Sequence, residues 1–400
     1  MSAAHQRKLK IHMRAASYSQ SNRLVLLHRG GEFFPALVLA LDSAHVEIYL
    51  ETYIFALDAT GHHVKAALMR AAARGVNVHV LVDWLGTGES VAAELRKDLE
   101  SVGIRFACFN PWFKRGVART HRKIVIVDRR LAFLGGLNIN DDFFSDDHDH
   151  TPLPAARWDF AVGITGPLVE SIHTEVATLW ARQQPLGIRR RLQYLREHYA
   201  SRFKPLQEVA HAALVVRDNL RNRNTIQRAL LQALGHAHHE AWIVTPYFAP
   251  GRKLRNALIH AANRGVCVTL LIGVDQFRLQ DAVAQSFYPK LLSAGVRIVE
   301  YRKTQLHAKV AVIDNRWATV GSSNFDGLSL FVNHEANIIV RDDEFTRTLR
   351  EAIAQGVHEG VVVMVKEVEN YSWARRLFNR FAYLLYKSVL QVISAGRYTK

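Results

Sequence analysis

Cysteine is nearly absent from this chain, with two in 400 residues. Cys108 and Cys267 stand apart in apolar, strand-like contexts, and two isolated thiols exclude a disulfide framework and point to a reducing compartment. Proline and glycine are sparse, 10 and 23, and form no low-complexity tract, which argues against a long disordered tail. No stretch reaches the roughly 18 uninterrupted apolar residues of a membrane span. The nearest approach, residues 381–395, is broken by Lys387 and Gln391. Residues 1–14 are basic and polar, without the apolar centre of a secretory signal. Acidic side chains are in deficit, 36 against 52 Lys and Arg, and the resulting +16 sets up a positive field suited to polyanions. Charge alone does not choose between nucleic acid and an anionic lipid surface.

What is present is a phrase written twice. His121-Arg-Lys123, Asp128 and Gly135-Gly136-Leu-Asn138 recur with the same spacing as His307-Ala-Lys309, Asp314 and Gly321-Ser322-Ser-Asn324. The repeat extends upstream in unchanged order. Ala44-His-Val-Glu-Ile-Tyr-Leu-Glu-Thr aligns with Ala237-His-His-Glu-Ala-Trp-Ile-Val-Thr, and Arg74-Gly-Val-Asn-Val with Arg264-Gly-Val-Cys-Val. Apolar runs alternate with helical periodicity in each copy, as from residue 64 to Arg74 with Gly75 as its stop, so each half is expected to be an α/β sheet layered by helices. Two such halves are expected to face each other across a pseudo-twofold axis.

On a strand, residues i and i+2 share a face, which places His121 beside Lys123 and His307 beside Lys309, with Arg122 and Ala308 turned away. A neutral imidazole can attack phosphorus, and a second imidazole can protonate the leaving alkoxide and then deprotonate an incoming alcohol. Lys123, Lys309, Asn138 and Asn324 offer donors to the non-bridging phosphate oxygens, and the arrangement requires no metal. A histidine nitrogen is usually oriented by a carboxylate. Asp159 and Glu335, each downstream of its own motif and ahead of an apolar strand, are the expected orienting carboxylates.

These motifs, with Arg119-Thr-His-Arg-Lys, Thr245-Pro-Tyr-Phe-Ala-Pro-Gly251 and Asn333-His-Glu-Ala-Asn337, resemble those of the phospholipase D superfamily over about residues 25–354. Within it the chain is most similar to bacterial cardiolipin synthases of the subgroup lacking N-terminal transmembrane helices. The resemblance implies an α/β duplicated phospholipase D-like fold, with two pseudo-twofold-related halves, each a mixed sheet flanked by helices, and an active site at their interface. It implies a phosphatidyltransferase without cofactor or metal, with His121 as nucleophile and His307 as general acid and base. Asp128 and Asp314 belong to the motif and are counted with its catalytic set, although strand alternation gives them a supporting role. Ser322 joins Asn138 and Asn324 as a phosphate-binding candidate, and Gly136 departs from the usual serine. The expected partners are an anionic membrane surface at the cytoplasmic face of the cell membrane, with phosphatidylglycerol as substrate and phosphatidylethanolamine as a further candidate. A hydrolase or nuclease using the same motif is the alternative, although no stacking platform for bases is evident.

The expected organisation is a first half over 1–182, a basic linker over 183–210, a second half over 211–365 and an amphipathic helix over 366–400, read as lying at a membrane interface with packing against the second half as the alternative. The Asp146-Asp-His-Asp-His150 cluster is weighed as a metal site and read as a solvated loop, because contiguous ligands seldom converge on one ion. His236, His238 and His239 are expected to cap a helix end, and Tyr49 and Trp242 to be core aromatics. Tyr53, Phe55, Tyr247 and Phe248 are candidates to line the cleft.

Overall fold

A computed structural model describes residues 16–113, 117–145, 151–183, 211–218, 222–327, 329 and 333–393. The acidic histidine cluster at 146–150 and nearly all of the basic linker lie outside the described residues. The first half runs β1 (Arg23–His28), α1 (Arg29–Asp42), β2 (Glu47–Thr52), α2 (Ala59–Ala73), β3 (Asn77–Asp83), α3 (Trp84–Thr87), α4 (Glu89–Ser101), β4 (Arg105–Phe109), β5 (Ile124–Val127), β6 (Leu131–Gly135), β7 (Phe160–Thr165) and α5 (Leu168–Gln183). The second runs β8 (His211–Arg217), α6 (Thr225–Gly235), β9 (Glu240–Thr245), α7 (Arg252–Asn263), β10 (Cys267–Gly273), α8 (Arg278–Gln285), α9 (Tyr288–Leu292), β11 (Arg297–Tyr301), β12 (Val310–Ile313), β13 (Trp317–Gly321), β14 (Glu335–Arg341) and α10 (Asp343–Glu359). A short β15 (Val361–Val362), α11 (Val365–Glu369) and α12 (Trp373–Ile393) follow.

The sheets repeat one plan. The first is ordered β1-β7-β6-β5-β2-β3-β4 and the second β15-β11-β10-β9-β12-β13-β14-β8. In each, the three strands linked by helices are parallel and the motif strands join them antiparallel, so both sheets are mixed. β5 and β12 are buried at every position, and one core therefore lies on each side of them. Ile124, Ile126, Val310 and Val312 face a central core shared by both sheets with α5 and α10, while Val125 and Ala311 face the outer core of their own half. Helix α2 starts further upstream than its periodicity predicts, because Asp58 caps it by accepting the Gly61 N–H at 2.8 Å. It ends as expected, where Gly75 takes φ +88°.

Reciprocal backbone contacts join the halves. His121 N–H donates to the His334 carbonyl, and His307 N–H donates to the Trp158 carbonyl, both at 2.9 Å. Trp158 and His334 immediately precede Asp159 and Glu335, so each motif's approach is bonded to the carboxylate-bearing segment of the other half. Such mutual exchange is the signature of a twofold arrangement.

Candidate active site

The two histidines stand not on strands but on the extended approaches just before β5 and β12. Their lysines share this extended approach rather than a strand face. Lys123 Nζ turns back to donate to the His121 carbonyl at 2.8 Å and lies 5.2 Å from the Tyr53 ring centre, and Lys309 donates to the His307 carbonyl. Lys309 is fully buried, with its Nζ 3.9 Å from Asp159 Oδ2. Arg122 does point away from the site, yet into a buried ion pair rather than toward solvent.

The orienting carboxylates are exchanged between the halves. His121 Nδ1 lies 3.2 Å from Glu335 Oε2 and 3.0 Å from the Ser322 carbonyl. His307 Nδ1 lies 2.6 Å from Asp159 Oδ2. The pairing within each half expected from sequence is overturned, because the reciprocal backbone bonds bring each carboxylate-bearing segment beside the other half's histidine. A carbonyl only accepts, so Nδ1 of His121 carries the hydrogen and Nε2 keeps its lone pair. Burial lowers the His121 pKa, and Lys123 adds to the effect against the pull of Glu335, which favours the neutral imidazole. Burial pushes the Asp159 carboxyl up, with Lys309 foremost among the groups opposing it.

Three further site expectations change. Ser322 Oγ is completely buried, donates to Glu335 Oε2 at 2.5 Å and accepts from Ala336 N–H at 3.1 Å. It steadies the carboxylate behind His121 instead of facing a phosphate. Asp128 and Asp314 sit beyond the far ends of β5 and β12, at φ +52° each. Asp128 accepts the N–H groups of His45, Val46 and Glu47 at 2.7–3.0 Å, and Asp314 those of His238, His239 and Glu240 over the same range. They clamp the start of β2 and β9, and among the described residues their hydrogen bonds go there and not to His121 or His307. Phe55 and Phe248 are core residues, whereas Tyr53 packs edge-on to His121 at 4.9 Å. Of the asparagines, Asn138 Oδ1 takes the Ile54 N–H at 3.3 Å, which leaves its amide hydrogens as the group suited to phosphate. Asn324 Oδ1 is buried without a hydrogen-bond partner among the described residues.

The glycine in the first motif has a steric cause. A Cβ at Gly136 would stand 2.3 Å from Asp159 Oδ1 and 2.5 Å from Oδ2. The Asp159 carboxylate fills the space that the Ser322 side chain occupies in the other copy. The pairs are thus Gly136 with the shorter acid and Ser322 with the longer one.

The family described as "Cardiolipin synthase, PLD-like domain" matches residues 37–153 and 230–356. Cardiolipin synthase B of Shigella flexneri is 38% identical over 343 residues, 84% of this chain and 80% of its own. Cardiolipin synthase B of Salmonella typhi is 38% identical over 381 residues, covering 93% and 87%. The chain belongs to the cardiolipin synthase family. A more distant cardiolipin synthase, from Clostridium perfringens strain SM101, is 28% identical and covers 90% of this chain and 76% of its own. Among solved structures, phosphatidylserine synthase of Haemophilus influenzae superposes with a TM-score of 0.71 at 15% identity, covering 96% of this chain and 98% of that one, a likeness of fold.

Within this cardiolipin synthase-family fold the halves differ behind the histidines. Arg122 is buried and bidentate on Glu51 at 2.6 and 2.8 Å, with Glu175 at 2.9 Å, and Thr120 Oγ1 donates to Glu51 at 2.5 Å. Burial pulls the Arg122 pKa down, and Glu51 and Glu175 more than offset it, so the residue stays charged. The aligned positions 244, 306 and 308 are Val, Leu and Ala, all in the central core. Sequence reasoning missed this network, although the contrast of Glu51, Thr120 and Arg122 with three apolar partners was there to see. Arg122→Met should cost about 3–5 kcal/mol in urea unfolding, because it strands a buried carboxylate. Glu51→Val with Arg122→Met should recover most of that loss, and a double variant as unstable as the single one would contradict the ion-pair account.

Proposed function

We propose that the chain makes cardiolipin by phosphatidyl transfer through a covalent phosphohistidine on His121. The observation that carries this is the crossed pair of histidine–carboxylate contacts, which presents two imidazoles with fixed Nδ1 partners to one interface. In the first step His121 Nε2 attacks phosphorus, the bond to the headgroup alcohol breaks, and His307 supplies the proton that the leaving oxygen takes. In the second, His307 accepts the proton of an incoming lipid alcohol, whose oxygen attacks phosphorus as the P–N bond breaks and His121 is regenerated. Lys123, Lys309, Asn138 and Asn324 donate to the phosphate oxygens as charge builds on them. Asp159 and Glu335 are positioning residues. We assign phosphatidylglycerol as donor, acceptor or both and the cytoplasmic face of the membrane as the place of action, a reading supported by the family and the excess of positive charge.

Incubation of purified protein with labelled phosphatidylglycerol, with and without phosphatidylethanolamine, followed by lipid separation, tests the reading. Cardiolipin is the expected product; phosphatidic acid alone would make it a hydrolase, and unchanged lipid with cleaved nucleic acid a nuclease. The pH profile follows from the depressed His121 pKa. Because the neutral form attacks, kcat/KM should fall only as pH drops through that lowered value, placing the acid limb below the ordinary 6.5. An acid limb above that value would contradict the assignment.

A further inference from the structure

α12 packs one side and presents another. Asn379, Ala382 and Leu390 are buried against the second half, and the Tyr383 ring meets Phe287 edge-on at 5.2 Å. At about 100° per residue, Trp373, Leu377, Phe381, Leu384 and Val392 fall on a single opposing face. Trp373 is 78% exposed, Leu377 and Phe381 59%, Leu384 50% and Val392 82%. Val361, Met364 and Val365, just ahead of this helix, add exposed apolar surface. An apolar row of this length is not left to water without a partner.

Charge selects the partner. No Asp or Glu occurs between Trp373 and Ile393, while Arg376, Arg380 and Lys387 fall together along one edge of the apolar face. Beneath that edge, between α12, α11 and the second half, lies a groove of about 740 Å3. Arg255, Lys290, Arg376 and Arg380 line it with Tyr371 and Tyr383, and Glu369 is the one acidic lining residue among the described residues. Arg255 Nε is buried there without a hydrogen-bond partner among the described residues. A second copy of this chain would bring cations against cations, whereas an anionic bilayer supplies hydrocarbon to the row and phosphates to its edge.

We propose that α12 is a docking face for an anionic phospholipid bilayer and that the groove under its basic edge holds a lipid headgroup phosphate apart from the catalytic histidines. The proposal rests on the lipid-transfer reading above and adds where the protein meets its substrate surface. The docked helix is tied to the site, since Tyr386 Oη accepts the Gly327 N–H at 2.9 Å, three residues after Asn324. A bilayer seated on α12 thus bears on the loop that carries the second asparagine.

Flotation of the full chain with vesicles of mixed phosphatidylcholine and phosphatidylglycerol, and of phosphatidylcholine alone, tests this. Leu377→Glu/Leu384→Glu, at exposed positions that leave the packed side of α12 intact, should lower partitioning on mixed vesicles about a hundredfold. Its thermal midpoint and its turnover of detergent-dispersed lipid should match the parent protein. Arg376→Gln/Arg380→Gln should weaken binding to mixed vesicles by about fivefold per arginine and leave binding to phosphatidylcholine unchanged. Unaltered flotation of the leucine variant would overturn the proposal, as would equal loss on both vesicle types for the arginine variant, or dissociation of a dimer by the leucine substitutions without vesicles. His121→Ala should float as the parent does. A parent protein that binds vesicles yet forms no cardiolipin would sink the catalytic reading while leaving the docking face intact.

Discussion

His121→Ala is expected to fold, to bind lipid and to lose about a millionfold in transfer, the scale on which removal of a nucleophile acts. Folding survives because the imidazole is a modest part of its surroundings. Glu335 keeps the Ser322 hydroxyl, and the backbone bond from residue 121 to the His334 carbonyl does not depend on the side chain. His307→Ala should be nearly as inactive on phosphatidylglycerol, for a different reason. It lacks the proton that an alkoxide needs to leave, so a phosphodiester with a p-nitrophenolate leaving group should restore its first step and leave His121→Ala inactive. Rapid-quench detection of an acid-labile phosphoenzyme separates the two variants. If His121→Ala accumulated the adduct and His307→Ala did not, the roles would be reversed.

The second large effect is expected at Gly136. Gly136→Ser places a Cβ 2.3 Å from Asp159 Oδ1, so the carboxylate must leave the position from which it holds His307. Turnover should fall by at least about a hundredfold, as when a positioning carboxylate is lost, and overpacking should cost about 1–3 kcal/mol. The same serine becomes acceptable when the acid changes with it. Gly136→Ser/Asp159→Glu rebuilds in the first half the arrangement of Ser322 and Glu335, and it should regain most of the activity. Asp159→Glu alone should remain impaired, because its extra methylene has no matching contact. Steady-state kinetics on the three variants decide the matter, and a double variant no better than Gly136→Ser would show that the two pairs are not equivalent.

Much of this site was legible in the residues. The doubled motif located the two histidines, their lysines and their asparagines, because its internal spacing survives a loop difference just before His121. The alternation of apolar runs with helical periodicity gave two layered α/β halves. The partner of each histidine was not legible, because it depends on how one half docks on the other. Asp159 and Glu335 were recognisable as carboxylates ahead of apolar strands, but only the contacts of Trp158 with His307 and of His334 with His121 send them across. Ser322 was misread for a related reason, since strand spacing does not reveal that its hydroxyl is already engaged by Glu335 and the Ala336 N–H. The difference between Gly136 and Ser322 was visible as a departure. Its cause becomes visible only when the length of the opposing acid is read beside it.

The crossed carboxylates bear on how such a chain changes over generations. Each half carries an acid that serves its sibling's histidine, so a lesion in one copy is felt as a fault in the other. On the proposed mechanism neither copy can lose its acid without disorienting the other's imidazole, and a half expressed alone would regain that contact only by finding a second half. Duplication here did not create a spare; it created two dependants.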